Sequence, residues 1–352
     1  MTTAVSLAQG ASNNVTMRNR IINGNMLIDQ RNAGGLVTNA STWITDRWGD
    51  FNAGSGRYSA QQSTTAPTGF PNSLLHTVTT AVTAAAGDVY QVFQAIEGLN
   101  VPDLAWGTAN AKTITLSFWA RSSIAGTYPV AIKSYSGSSR SYVATYTIST
   151  ANTFEYKTIT IPGCTDGTWP ITNNGFCYVT FDLGSGSNQN TTAGAWQNGD
   201  YRRTSACVNW MATSGATFYF TGVQFEVGTV ATPFEQRAYS TEFQFCQRYC
   251  RVVRAGDGYS YLGPLAVFET TTIIEMPYPI NGMRTPAMSW TVSGNIAGEE
   301  GGGILTSAGI GLRGNEWVRL SWTAGGAGTV GMSTAIRSNN DTSAKMTLDC
   351  EL

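Results

Sequence analysis

The sequence predicts an all-β protein: an antiparallel jelly-roll β-sandwich, one connector helix, then a smaller C-terminal β domain. Three observations carry this. Charged residues are 12% of 352, about half the usual share of a soluble domain, while 39 glycines and many Ser and Thr fill the gaps between apolar positions. Hydrophobic side chains alternate with hydroxyls at period two in run after run, as strands with one buried face require. Only one segment carries apolar residues at helical spacing.

Residues 1–20 are polar and aperiodic and read as an N-terminal arm. The sandwich is expected over 21–230. In Thr113-Ile114-Thr115-Leu116-Ser117-Phe118-Trp119, Ile114, Leu116 and Phe118 share one face. Tyr156-Lys157-Thr158-Ile159-Thr160-Ile161 alternates likewise before Pro162-Gly163 stops it. Cys177-Tyr178-Val179-Thr180-Phe181-Asp182-Leu183 places Cys177, Val179, Phe181 and Leu183 inward, and the run 218–227 closes the series with a bulge at Gly222. Glycine, Ser, Asn and Pro punctuate these runs, so the strands pair antiparallel, without the alternating helices of a parallel sheet.

The connector helix is expected over 231–255. Thr232 reads as its N-cap, Pro233 as the first helical residue and Glu235 as the partner closing a capping box. Phe234, Ala238, Phe245, Tyr249 and Val252 then recur at helical spacing, Arg248, Arg251 and Arg254 favour the C-terminal end, and Gly256 ends it. Strands at 267–269, 271–276, 288–292 and 317–322 build a C-terminal β domain over 256–352.

Composition removes several function classes. The net charge of −1 gives no electrostatic footprint for nucleic acid. No run approaches the roughly 18 apolar residues of a membrane span, and residues 1–8 lack the basic and apolar regions of a secretory signal. Six cysteines, Cys164, Cys177, Cys207, Cys246, Cys250 and Cys350, are too scattered for a disulfide framework and are expected as free thiols made in a reducing cytosol. The single histidine, His76, lies in a strand-like run and is expected half-buried; alone it supports neither a zinc site nor a Ser-His-Asp arrangement.

Three blocks then carry a resemblance. Arg18-Asn19-Arg20-Ile21-Ile22-Asn23-Gly24-Asn25-Met26, with Ile28-Asp29-Gln30-Arg31-Asn32 and Thr45-Asp46-Arg47-Trp48, resembles bacteriophage and prophage tail-fibre or appendage proteins. So does Gly222-Val223-Gln224-Phe225-Glu226-Val227-Gly228, followed by Ala231-Thr232-Pro233-Phe234-Glu235-Gln236-Arg237 and Cys246-Gln247-Arg248-Tyr249. A third match, Met276-Pro277-Tyr278-Pro279 to Met283-Arg284-Thr285-Pro286, is similar to the start of that family's C-terminal domain. The resemblance implies a virion protein made in the host cytoplasm, with a jelly roll like those of carbohydrate-binding modules and a homotrimeric assembly. The polar, aperiodic arm is expected to dock onto other virion proteins, and the aromatic, charge-poor composition makes a host cell-surface glycan the other expected partner.

Sugar recognition needs flat apolar surfaces and neutral hydrogen-bonding groups. The loop aromatics Trp169 and Trp196, with Asp200, Tyr201 and Arg202 after the latter, are the glycan-binding candidates, whereas Trp43, Trp48 and Trp119 lie in strand patterns and are expected to pack in the core or on a sheet face. Phe234, Phe245 and Tyr249 are the subunit-interface candidates. No catalytic residue and no cofactor is expected; structural calcium, on Asp46, Asp50 or Asp182, is a secondary expectation. An acid pair from distant strands, such as Asp166 with Asp182, would be needed for glycoside hydrolysis; adjacent Glu299-Glu300 reads as a solvated turn. The leading expectation is host-surface attachment by binding. A capsid-decoration or tail-assembly role without a receptor competes with it, as does a polysaccharide-degrading tailspike.

Overall fold

Alternation along each strand decides which side chains meet between sheets. The structure, a computed structural model, describes residues 17–38, 42–136, 139–284, 288–299, 303–305, 307–313, 316–326 and 328–352. The chain divides into two units, Met1–Glu242 with Leu352, and Phe243–Glu351.

Among the described residues the first unit holds thirteen strands: β1 (Val37–Thr38), β2 (Trp43–Thr45), β3 (Trp48–Ala53), β4 (Arg57–Ser63), β5 (Ser73–Thr80), β6 (Val89–Glu97), β7 (Ile114–Ser122), β8 (Gly126–Ser134), β9 (Arg140–Ile148), β10 (Glu155–Ile161), β11 (Gly175–Asp182), β12 (Trp196–Asn198) and β13 (Thr217–Val227). They form a six-stranded sheet in the order β1-β4-β5-β13-β7-β10 and a seven-stranded sheet in the order β12-β9-β8-β11-β6-β3-β2. The pairings are antiparallel, as the alternation predicts.

Ile114, Leu116 and Phe118 from one sheet and Cys177, Val179 and Phe181 from the other are fully buried in one core. Trp48 and Phe220 meet edge to face at 5.2 Å, and Phe181 stacks on Phe220 at 4.8 Å. The bulge falls where Gly222 forecast it: register against β7 slips between Thr221 and Gln224, and Gly222 adopts φ 62°. That extra residue resets the alternation, so Phe218, Phe220, Val223 and Phe225 all point inward. His76 in β5 is completely buried rather than half-buried, stacked 6.0 Å from Phe220.

Two boundaries differ from the sequence reading. Residues 1–16 of the expected arm lie outside the described residues, but residues 18–20 belong to the sandwich. The Asn19 side chain donates to the Val223 carbonyl at 3.0 Å and accepts from the Phe225 amide at 3.0 Å, filling the gap the bulge opens in the ladder. Arg20 then donates its backbone N–H to the Phe225 carbonyl. The first two of the blocks that resemble phage proteins are therefore in contact in space.

The second difference concerns the helix, α1, which spans Tyr239–Gln247 and not 231–255. The capping box does not form. Glu226 accepts the Thr232 hydroxyl at 2.6 Å, and the Gln224 side chain accepts the Glu235 amide at 2.8 Å. Glu235 instead accepts the backbone N–H groups of Arg18 (3.2 Å) and Asn19 (2.9 Å). Arg237 ties this corner together through Glu235 (2.8 Å) and Glu242 (3.1 Å), and donates to the Ile21 and Asn19 carbonyls. Tertiary partners thus outcompete a local helix-start pattern.

Beyond α1 the chain turns to strand at β14 (Cys250–Arg254), where β-branched Val252 and Val253 favour extension. The rest of the second unit comprises β15 (Ala266–Phe268), β16 (Ile273–Pro279), β17 (Ser289–Ser293), β18 (Ile296–Gly298), β19 (Gly303–Ile304), β20 (Ser307–Arg313), β21 (Trp317–Thr323), β22 (Ser333–Thr334), β23 (Ile336–Ser338) and β24 (Lys345–Asp349). The sheets run β14-β24-β17, β20-β21-β16-β15-β22 and β19-β18-β23. Their core includes Phe268, Ile274, Met276, Leu320, Trp322 and Leu348. All six cysteines are buried free thiols. Among the described residues no helix is long and apolar enough to cross a membrane.

Candidate functional site

A strand with its inner set buried must show its other residues on the outer face, and here the outer face of the seven-stranded sheet is aromatic. Trp43 of β2 is in register with Gly49 of β3, which is in register with Phe93 of β6. The Trp43 and Phe93 rings meet edge to face over that glycine, centroids 5.7 Å apart. Phe93 meets Tyr178 of β11 at 5.3 Å, and Tyr178 stacks on Tyr135, just past β8, at 5.0 Å. Tyr135 reaches this position because Gly175 leaves room: a Cβ there would lie 2.0 Å from the nearest atom of its ring. The four rings form a diagonal row across the sheet, with Phe51 of β3, 42% exposed, beside it.

Polar groups gather at the middle of this row. Lys133 of β8 is in register with Tyr178, its Nζ 5.9 Å from the ring centroid, and it forms an ion pair with Asp200. Arg202 donates to Asp200 at 2.7 Å and to the Gln189 side chain. Burial would raise the Asp200 carboxyl, but Lys133 and Arg202 outweigh it and hold it below the usual range. The Lys133 amine is pulled down to about 8, first by burial and then by Arg202, against the pull of Asp200. Beyond it, Arg140 grips Asp166 through two bonds of 2.8 Å.

These residues line three adjoining depressions. One of about 340 Å³ is bounded by Phe51, Gln91, Phe93, Tyr178, Gln189 and Arg202, with Lys133 and Asp200. A second, about 260 Å³, shares Lys133, Tyr178 and Asp200 and adds Ser134, Tyr135, Ser139 and Arg140. A third, about 170 Å³, continues past Phe51 and Phe93 to Trp43 and Gly49. The result is an open groove with aromatic walls, amide and hydroxyl groups and a central ionic cluster, chemistry suited to a chain of polyhydroxylated rings.

The sequence candidates separate. Asp200 and Arg202 line the groove, although Arg202 is only 3% exposed. Tyr201 is half-buried beside it, its amide bonded to the Ser141 hydroxyl. Trp169, expected exposed in a loop, is buried, and its indole N–H goes to the Asp166 carbonyl at 2.9 Å. Trp196 is half-buried, its N–H on the Pro162 carbonyl at 2.8 Å. Both indoles pack on Trp106, at 5.0 and 5.3 Å, and extend the core rather than the groove.

Of the interface candidates, Phe234 packs edge to face on Phe70 at 5.2 Å. Tyr249, expected at an interface, is fully buried within the chain, while Phe245 is half-buried. Sequence reasoning missed Phe51, Phe93, Tyr135, Tyr178 and Lys133. The signal for Tyr178 was present: if Cys177 and Val179 face inward, Tyr178 faces out.

The carboxylates considered for calcium are each engaged separately. Asp46 accepts from the Gln30 amide at 2.9 Å, and burial pushes it up to about 7. Burial likewise pushes Asp50 up to about 7. Asp182, also raised by burial, accepts from the Gly184 and Ser185 amides and faces Arg203 at 3.7 Å. Among the described residues no group of three or more His, Cys, Asp or Glu side chains is arranged to hold a metal ion. Asp166 and Asp182, the distant acid pair considered for hydrolysis, are each paired with an arginine. Of the acid turn, Glu300 lies outside the described residues, and Glu299 accepts from the Tyr261 hydroxyl.

No protein-family model matches the sequence, and no curated protein does. Among solved structures the chain is similar to the enzymatically active domain of bacteriophage CBA120 tailspike protein 4, with a TM-score of 0.33 and 13% identity over 60% of this chain and 22% of that one. It is also similar to the family 11 carbohydrate-binding module of a cellulosomal cellulase of Clostridium thermocellum, with a TM-score of 0.29 and 14% identity over 57% of this chain and 98% of that one. A third is the structure of N-terminal modules of endo-1,4-β-D-xylanase 10B of the same organism, with a TM-score of 0.29 and 10% identity over 57% and 30%.

Proposed function

We propose that this chain is a structural protein of a bacteriophage virion, a tail fibre or appendage, that holds the host surface by binding glycan in the groove of the seven-stranded sheet. The observation that carries the reading is the ring row Trp43, Phe93, Tyr178 and Tyr135 flanked by Gln91, Gln189, Ser134 and Ser139. Aromatic surface takes the C–H faces of pyranoses, while neutral amides and hydroxyls take their hydroxyls. The virion assignment is supported by the phage-like blocks, which interlock through Asn19 and Glu235.

The chain binds without cleaving. Among the described residues the groove offers no facing pair of free acids: Asp200 is committed to two cations and Asp50 is buried. Three copies in a homotrimer would turn weak single-groove binding into firm attachment through effective concentration. The N-terminal arm is the segment proposed to dock onto other virion proteins.

An array of bacterial surface oligosaccharides probed with the full chain tests this. Saturable binding is expected, with no new reducing ends, and Phe93→Ala and Tyr178→Ala each weaken it at least tenfold while the fold is kept. Undiminished binding in both variants would place the ligand elsewhere, and a blank array would remove the glycan role.

A further inference from the structure

Within the groove, positive charge exceeds negative at one place. Lys133 and Arg202 converge on a single carboxylate, Asp200. The two cations are 9% and 4% exposed in their side chains, whereas Asp200 is 59% exposed. Behind them Arg203 and Asp182 face each other at 3.7 Å. Arg202 keeps an Nε with no hydrogen-bond partner among the described residues, and an ammonium has three donors to place.

The flanks differ. On one side Arg140 is already closed by its two bonds to Asp166. On the other, the one acid among the described residues lining the depression by Trp43 and Phe93 is the buried Asp50.

Resting on the glycan reading above, we propose that the centre of the groove seats a carboxylate-bearing sugar, a hexuronic acid in chemical class, between neutral residues of the chain. A neutral sugar gains little from two desolvated cations that are costly to bury. A second carboxylate gains charge-assisted hydrogen bonds from both. Asp200, exposed where its two cations are not, marks the seat from within: it neutralises part of the cluster when no ligand is bound, and a ligand acid shares or takes its donors.

The test uses the full chain and matched probes: a panel of hexuronate-containing oligosaccharides and their carboxyl-reduced counterparts, titrated calorimetrically at low and raised salt. The acid forms are expected to bind at least tenfold tighter, with the gap narrowing as salt rises. Asp200→Asn, a substitution at an exposed side chain of the groove, should tighten the acid forms several-fold relative to the reduced forms, so that the ratio between the two widens. Lys133→Met should erase the preference. Equal binding of both forms overturns the acid preference and leaves the glycan reading standing, as does weaker acid binding in Asp200→Asn. Failure of every probe in the panel to bind overturns the acid preference, and the glycan reading then falls only if the surface-oligosaccharide array is blank as well.

Discussion

Trp43 and Phe93 touch across a strand that lies between them. Their rings meet 5.7 Å apart over β3 because the intervening residue, Gly49, has no side chain. A Cβ at Gly49 would lie 2.9 Å from the Trp43 ring and 3.2 Å from Phe93. Backbone geometry here sets the continuity of an aromatic surface, so a glycine in mid-strand is part of the proposed binding face.

Gly49→Ala should therefore part the two rings. Overpacking of this kind costs about 1–3 kcal/mol of stability, and the lost edge-to-face contact about 0.5–1.5 kcal/mol. In a double-mutant cycle with Trp43→Ala, followed by chemical denaturation, the alanine at 49 should cost less once the indole is gone. Additive losses would show that the rings are not coupled through Gly49.

The corner at Arg237 predicts a second loss. Its side chain is 6% exposed and joins Glu235, Glu242 and the carbonyls of Asn19 and Ile21. Arg237→Ala leaves two largely buried carboxylates without their cation, a change that costs about 3–5 kcal/mol. Arg237→Lys keeps the charge but not the fork and should recover only part. Limited proteolysis should then cut first within 17–24, the segment this corner holds.

A third prediction separates packing from recognition among the tryptophans. Trp169→Ala empties a buried site against Trp106 and Phe176, so it should lower stability by about 3–5 kcal/mol. The more conservative Trp169→Phe should fold and bind any groove ligand with unchanged affinity. A Phe variant that folds normally yet loses binding would move the site to the Trp106 cluster.

The sandwich was legible because hydrophobic alternation survives burial: Ile114, Leu116, Phe118, Val179 and Phe181 point where period two sends them. The bulge was legible too, since a glycine in mid-strand marks a kink. The helix was overdrawn because Thr232 and Glu235 act locally only when nothing better is near, and Gln224, Glu226, Arg18 and Asn19 are nearer in space than in sequence. The groove was half legible. Asp200 and Arg202 sit in one loop, but Phe93 belongs to β6, while Lys133 and Tyr135 lie at and just past the end of β8, about 40 residues later, and only sheet order brings them together. Trp169 misled because a loop position says little about burial when the residue is large and apolar.

His76 gives a prediction in pH. It is completely buried between Tyr58 and Phe220, and neither ring nitrogen has a hydrogen-bond partner among the described residues. Burial pulls its pKa from 6.5 down to about 3. Between those values the unfolded chain takes up a proton that the folded chain refuses, so the histidine's contribution to stability falls as pH drops. The slope approaches about 1.4 kcal/mol per pH unit below 6.5. Asp46 and Asp50 act oppositely: raised from 3.8 to about 7, they favour folding at acid pH and lose that contribution as pH rises toward 7. The wild-type profile is thus blunted, and the histidine shows only in a difference. Relative to wild type, His76→Leu should gain about 2 kcal/mol between pH 7 and pH 5, read from urea midpoints at matched slopes. Asp50→Asn should shift the difference the other way over the same range. A His76→Leu difference that stays constant with pH would mean that the imidazole is protonated inside the fold, and that a partner for it exists where the packing now shows only rings.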